Sequence, residues 1–309
     1  MRKKVSIIGA GQVGTIAALQ TLAAKLADVV LIDLMDGLAK GKTLDLQQAA
    51  ALMQSDCAIT GGNDYDLTTG SDVVVITAGI PRQPGMSRAD LLATNARIVK
   101  SVMAEIITRS PEAILLMVTN PLDAICAIAQ KASGFPAQRV IGMGGVLDGA
   151  RMQSFIAQEL GVSVKDVQAC VIGVHGEQML PLPRFSTVAG VPLTELLSPD
   201  KIQRIVERTV NGGAEIVAHL KTGSAFLAPG TSVAEMLKGI LLDEKRIMPA
   251  AVCLQGEYGL RDIYLGVPVR IGSQGIEEII QLRLDADELA QLQAGAQAIS
   301  QMLAQFAME

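Results

Sequence analysis

The chain has no tryptophan, three tyrosines and five phenylalanines among 309 residues, so its core must be built from Ile, Val, Leu, Ala and Met. That palette suits a parallel sheet covered by helices on both faces. Cysteine is also scarce. Cys57, Cys126, Cys170 and Cys253 are far apart and form no C-x-x-C, so they read as small buried apolar residues in a reducing compartment, and no metal site is expected. No apolar run approaches the roughly 20 residues of a membrane span. The basic start Met1-Arg2-Lys3-Lys4 leads straight into Val5 to Ala10 and a glycine-rich turn, not into a signal-peptide cleavage site. A cytoplasmic location is expected. Positive charge is not in excess either: the net charge is −5 with acids and bases mixed, which argues against nucleic-acid binding.

Half of the residues are apolar, which excludes a disordered chain, and the length exceeds what one small core needs. Lys4 to Ile8 reads as a short buried strand running into Gly9-Ala10-Gly11-Gln12-Val13-Gly14 and a helix-like segment from Thr15 to Leu26. A second apolar run, Val29 to Ile32, ends in Asp33. Strand, G-x-G-x-x-G, helix, strand and acid in this order form the dinucleotide fingerprint in its proper setting. Gly9 makes the tight turn, Gly11 lets a pyrophosphate approach the backbone, and Gly14 lets helix and sheet meet closely. The helix N-terminus then offers free N–H groups to phosphate. Asp33 is placed to accept from ribose hydroxyls and to repel a 2′-phosphate, which favours NAD over NADP.

Further along, helical periodicity spans Ala39 to Leu52, about Ala89 to Arg109 and about Leu122 to Ala132. Buried strands are expected at Asp72 to Ile76, Ile114 to Val118 and Val140-Ile141. Strands alternating with helices and lacking hairpin signals imply a Rossmann-type doubly wound parallel sheet, whose ligands lie outside the strand C-termini. The pattern then changes. A helix from Leu147 to Leu160, a strand from Val167 to Ile172, and a segment bent by Pro181, Pro183 and Pro192 come next. Helices are expected at Pro199 to Ala218 (broken at Gly212-Gly213) and Pro229 to Leu242. Antiparallel strands follow at Met248 to Gln255, Ile263 to Ile271 and Gly275 to Leu284, then a last helix from Ala286 to about Phe306. The reading is an α/β fold, with a nucleotide-binding domain over 1–145 and an α+β substrate domain over 146–309.

Chemistry concentrates in three places. The loop Pro81-Arg82-Gln83-Pro84-Gly85-Met86-Ser87-Arg88 sets two arginines six apart after a strand of the nucleotide sheet, where coverings of a crevice are commonly built. Arginine offers a planar fork for carboxylates; a solvated surface loop is the alternative. Asp148 and Arg151 stand i, i+3 on one helix face, a spacing that also suits a local ion pair. His175, in Gly173-Val174-His175-Gly176-Glu177, sits at a strand end where a side chain can face a cleft. His219 sits within a helical pattern and is the weaker candidate for a proton carrier. A carboxylate beside His175 would raise its ordinary midpoint of about 6.5, which suits reversible proton transfer.

The glycine fingerprint, these three motifs and Val118-Thr119-Asn120-Pro121, five in all, resemble the lactate/malate dehydrogenase superfamily, in order and at matching spacing from residue 4 to the last helix. Within it they are similar to the lactate-dehydrogenase-like malate dehydrogenases. The resemblance implies that His175 is the proton acceptor and that Asp148 orients it. It further implies that Arg151 clamps the substrate's C1 carboxylate, that Arg88 polarises the reacting carbonyl, and that Asn120 holds the substrate oxygen and nicotinamide region. Arg82 falls at the position that chooses substrate. A second cation there pairs with a second carboxylate, whereas with a monocarboxylate it would be buried unpaired. Ser224 and Ala225 align with a pocket segment of loose register. For NAD the resemblance implies Gly9, Gly11, Gln12, Val13, Gly14, Asp33, Thr77, Ala78, Gly79, Asn95, Val118 and Asn120. The implied reaction is malate to oxaloacetate, with lactate or another 2-hydroxy acid as the alternative. The implied assembly is a homo-oligomer, a tetramer before a dimer.

Overall fold

The computed structural model describes residues 2–81 and 85–308. In chain order its elements are β1 (Lys4–Ile8), α1 (Gln12–Ala23), β2 (Asp28–Ile32), α2 (Asp36–Leu52), β3 (Ile59–Gly62), β4 (Val73–Ile76), α3 (Arg88–Arg109), β5 (Ile114–Met117), α4 (Leu122–Ser133), β6 (Val140–Gly142) and α5 (Gly145–Leu160). Then come β7 (Val167–Gln168), β8 (Val171–Gly173), β9 (Met179–Pro181), β10 (Thr187–Val188), β11 (Val191–Pro192), α6 (Leu193–Leu196), α7 (Pro199–Leu220), α8 (Leu227–Leu241), β12 (Arg246–Gln255), β13 (Arg261–Gly272), β14 (Gly275–Ile279) and α9 (Ala286–Met308).

Strands β1 to β6 pair in parallel in the order β3-β2-β1-β4-β5-β6, the reversal at β1 and β4 expected of a doubly wound sheet. Their residues are apolar on both faces. Val5, Ile7, Leu31, Val73, Val75 and Leu116 meet one helix layer, while Ile8, Ile32, Val74, Ile76, Leu115 and Met117 meet the other. That two-sided burial explains why these strands read as unbroken hydrophobic runs. The sheet continues past β6 through one bridge pair, Gly142 with Ala251 of β12, into the antiparallel strands β12, β13, β8 and β9.

The structure revises several expectations. β3 was not anticipated: Ile59-Thr60-Gly61-Gly62 is a short edge strand whose two glycines hide its pattern. The strand expected over 167–172 is two strands, because β7 pairs with β10 in a small separate sheet while β8 pairs with β13 and β9. The strand expected to reach Leu284 stops at Ile279. The predicted break at Gly212-Gly213 is absent, and α7 runs through both glycines. His219 is the penultimate residue of α7 and is exposed.

Candidate active site

The C-terminal ends of β1, β4 and β5 are stitched together by side chains. Thr77 donates its hydroxyl to the carbonyls of Ile8 and Gly9 at 3.1 and 3.0 Å, and Thr119 donates to Ile76 and Ala78 at 3.2 and 2.7 Å. Asn95, buried on α3, accepts from the Ile80 N–H at 2.8 Å and donates to the carbonyls of Ile80 and Asn120 at 3.1 and 2.7 Å. Its carboxamide is engaged on every side and shielded. Asn95 thus ties the rim loops of the crevice together, from the side on which a cofactor is expected.

The glycine loop fits a dinucleotide. Gly9 has φ +116°, and a Cβ there would come within 2.6 Å of Thr77 Oγ1. A Cβ on Gly14 would lie 2.0 Å from the Gly9 carbonyl oxygen, so α1 can start only with glycine at that position. At Gly11 a Cβ would meet nothing within 4 Å, which leaves open space over the first turn of α1. That turn carries no acid and no side-chain cap, whereas α3 is closed by a capping box between Ser87 and Asp90. Uncapped N–H groups at a positive helix end match a pyrophosphate. Gln12 is exposed and Val13 half-buried on this turn, and Ala78, Gly79, Val118 and exposed Asn120 rim the neighbouring strand ends. Half-buried Asp33, past the end of β2, accepts from the N–H groups of Ala10 and Met35 at 2.8 and 3.0 Å. It is thereby locked beside the glycine loop.

The candidate catalytic cluster gathers around Asp148 in the first turn of α5, buried to 3% of its side-chain surface. One carboxylate oxygen meets His175 Nδ1 at 2.7 Å, and the other accepts from Arg151 Nη1 at 3.0 Å. The i, i+3 ion pair thus exists, but it shares its acid with a histidine 27 residues away, as a purely local pair would not. His175 follows β8 and keeps 16% of its side chain exposed. Gly144 makes room for it, since a Cβ there would lie 3.0 Å from His175 Cβ. Burial is the largest influence on the imidazole and pulls its pKa down. The charge and hydrogen bond of Asp148, with the charge of Asp123, outweigh that pull, and the net shift is upward from 6.5.

Arg151 is 15% exposed and lies along α7 where Gly212 and Gly213 leave space. A Cβ on Gly212 would meet Arg151 Cδ at 3.1 Å, and one on Gly213 would meet Nη2 at 3.4 Å. Arg151 Nε is buried without a hydrogen-bond partner. Arg88, at the first position of α3, pairs with Glu177 at 2.8 Å and is thereby brought beside the His175 loop. Ser224 is exposed and Ala225 half-buried on the loop between α7 and α8. Arg82 lies outside the described residues. Reading the sequence missed Gly144, Gly212 and Asp123; the last is buried on α4 with a carboxylate oxygen 3.0 Å from the His175 backbone nitrogen. The signal for Gly212-Gly213 was present but was taken for a break.

The N-terminal model "lactate/malate dehydrogenase, NAD binding domain" matches residues 3–142, and "lactate/malate dehydrogenase, alpha/beta C-terminal domain" matches 145–308. The chain belongs to the lactate/malate dehydrogenase family. It is 52% identical over 303 residues to a malate dehydrogenase of Thermomicrobium roseum, with 98% of each chain covered. The malate dehydrogenase of Cryptosporidium parvum superposes with a TM-score of 0.97 at 41% identity, covering 100% of both chains. A lactate dehydrogenase of the same organism, complexed with lactic acid and nicotinamide adenine dinucleotide, superposes at 0.96 with 38% identity and covers 99% of this chain and 98% of its own. The backbone is thus common to both activities, and the choice between them rests on side chains.

Proposed function

We infer that this protein is an NAD-dependent oxidoreductase acting on a CH–OH group, which interconverts (S)-malate and oxaloacetate. The observation that carries the chemistry is the pair of contacts on Asp148, to His175 Nδ1 at 2.7 Å and to Arg151 Nη1 at 3.0 Å. With Nδ1 donating to Asp148, the neutral imidazole keeps its lone pair on Nε2 and can take a proton from a substrate hydroxyl. Asp148 then stabilises the imidazolium that forms, as the upward shift of His175 indicates. Arg151 presents its remaining donors to a substrate carboxylate from the same helix face. Arg88, released from Glu177, supplies positive charge to a carbonyl oxygen gaining electron density. NAD, held by the Gly9–Gly14 turn and Asp33, supplies the hydride acceptor when bound.

Malate over lactate rests on Arg82, a reading from the sequence, together with the malate dehydrogenases among the relatives. The test is steady-state oxidation of NADH with oxaloacetate and with pyruvate, repeated with NADPH. A clear preference for oxaloacetate and NADH is expected; equal rates with pyruvate would overturn the assignment.

We also propose that residues 1–145 and 146–309 act as nucleotide and substrate domains, and that Ser224 and Ala225 border the substrate. A cytoplasmic homo-oligomer, a tetramer before a dimer, completes the proposal. In its support, α2 leaves Leu44 58% and Leu52 89% exposed, an apolar face suited to a second copy. No described helix is long and apolar enough to cross a membrane. Light scattering at working concentration tests the assembly, and a monomer would refute it.

A further inference from the structure

Asp123 is the second residue of α4, 1% exposed, where the helix N-terminus favours a carboxylate. An acid there ordinarily caps its own helix. Instead Oδ2 reaches a different element and accepts from the backbone N–H of His175 at 3.0 Å. Its other oxygen, Oδ1, is buried with no hydrogen-bond partner outside its own residue, whose backbone N–H also acts on the carboxylate. Anchoring one N–H requires only an oxygen, which Asn or Ser provides without burying charge. A buried carboxylate held by so few donors is costly, and among the described residues no cation in direct contact offsets it. The feature that distinguishes Asp123 from a neutral anchor is its negative charge, and the nearest group able to become positive is the imidazole of the residue it holds.

We infer that Asp123 is a positioning residue for proton transfer: it fixes the His175 backbone so that the ring faces Asp148, and it is a second negative charge that favours the protonated ring. This rests on the reading of His175 as proton carrier. Among the described residues, Asp148 and Arg151 from α5 and Asp123 from α4 act on the imidazole by charge; Arg151 opposes protonation and the two acids favour it. On Asp123, burial acts most strongly and pushes the carboxyl up to about 6. The His175 N–H, the imidazole and the backbone N–H of Asp123 itself pull it down, and the Asp148 charge adds to the rise. The Cys126 thiol, one turn along α4, is pushed up by burial and by the Asp123 charge, and stays neutral. When His175 takes a proton, the new charge stabilises ionised Asp123, so the two acids share the imidazolium between side chain and backbone.

The test uses the full-length enzyme. Asp123→Asn keeps an oxygen for the His175 amide and removes the charge. The chain has only two histidines, so ring-proton NMR titration follows both, and His219→Gln assigns them. In Asp123→Asn the His175 midpoint should fall. With cofactor saturating, the acid limb of kcat/KM for malate oxidation and the alkaline limb for oxaloacetate reduction should both move to lower pH. A purely structural role would scale both profiles down without moving either limb. Should Asp123→Asn fail to accumulate, Asp123→Ser repeats the comparison with a hydroxyl acceptor. An unmoved His175 midpoint with unmoved limbs overturns the inference. A fully active His175→Asn variant would instead sink the underlying reading, whatever Asp123→Asn does.

Discussion

Replacing Gly212 by alanine sets helix stability against substrate binding. Gly212 is buried inside α7, where alanine is favoured over glycine by about 1 kcal/mol. The added Cβ would stand 3.1 Å from Arg151 Cδ, 3.6 Å from Nε and 3.7 Å from Cγ. Carbon atoms in contact prefer about 3.5–4.0 Å, so the arginine must yield by several tenths of an ångström. Its Nη1 is tied to Asp148 at 3.0 Å, and shifting the stem therefore tilts the guanidinium around that contact. Loss of one hydrogen bond to a charged group costs about 1.5–3 kcal/mol. Placed on substrate binding, that is roughly a ten- to hundredfold fall in kcat/KM for oxaloacetate. It should be carried mainly by KM, because His175 and Asp148 are not displaced. The helix gain raises Tm by about 1–2 °C for a chain of this size, less whatever the tilted arginine costs. The assay is kcat and KM for oxaloacetate beside a thermal melt. Unchanged kcat/KM with a raised Tm would refute the idea that α7 carries glycine there to seat Arg151. Gly213→Ala, whose Cβ meets Nη2 at an ordinary 3.4 Å, should be milder.

His175→Asn should retain NADH affinity in fluorescence titration while turnover falls by about 10²–10⁴, the usual worth of a positioned acid/base; near-normal turnover would refute the assignment. Because the pKa of His175 is raised, malate oxidation, which needs the neutral ring, should weaken as pH falls through a midpoint above 6.5. The same shift makes the charged His175–Asp148 pair contribute stability fully below 6.5 and lose it as pH rises through the folded midpoint, checked by melts across that window. Arg82→Gln should lower kcat/KM for oxaloacetate by about tenfold or more while pyruvate gains, since a partner for the second carboxylate is lost. Equal losses on both substrates would remove Arg82 as selector.

The parallel sheet was legible because burial on both faces leaves a local trace, a short run of apolar residues ended by a turn. Asp33 was legible for a related reason: its distance from the glycine turn is set by one helix and one strand. The pairing of Asp148 with His175 leaves no local trace, since the two are 27 positions apart with strands β7 and β8 between them. β3 was hidden by its glycines, and β7 and β8 were fused because their division depends on which sheet each half joins. Gly212-Gly213 looked like punctuation; in the fold the missing side chains are room for Arg151.

Sequence by itself therefore determined the strand-and-helix order of the nucleotide half and singled out the histidine and the arginines as candidates, because each belongs to a pattern written along a few dozen neighbouring residues. Only tertiary structure decided that Asn95 bonds the rim residues Ile80 and Asn120, that α7 runs unbroken past Arg151, and that Asp123 holds the His175 backbone. Those roles depend on distances between elements far apart in the chain, and burial and hydrogen bonding acquire values only when the elements meet.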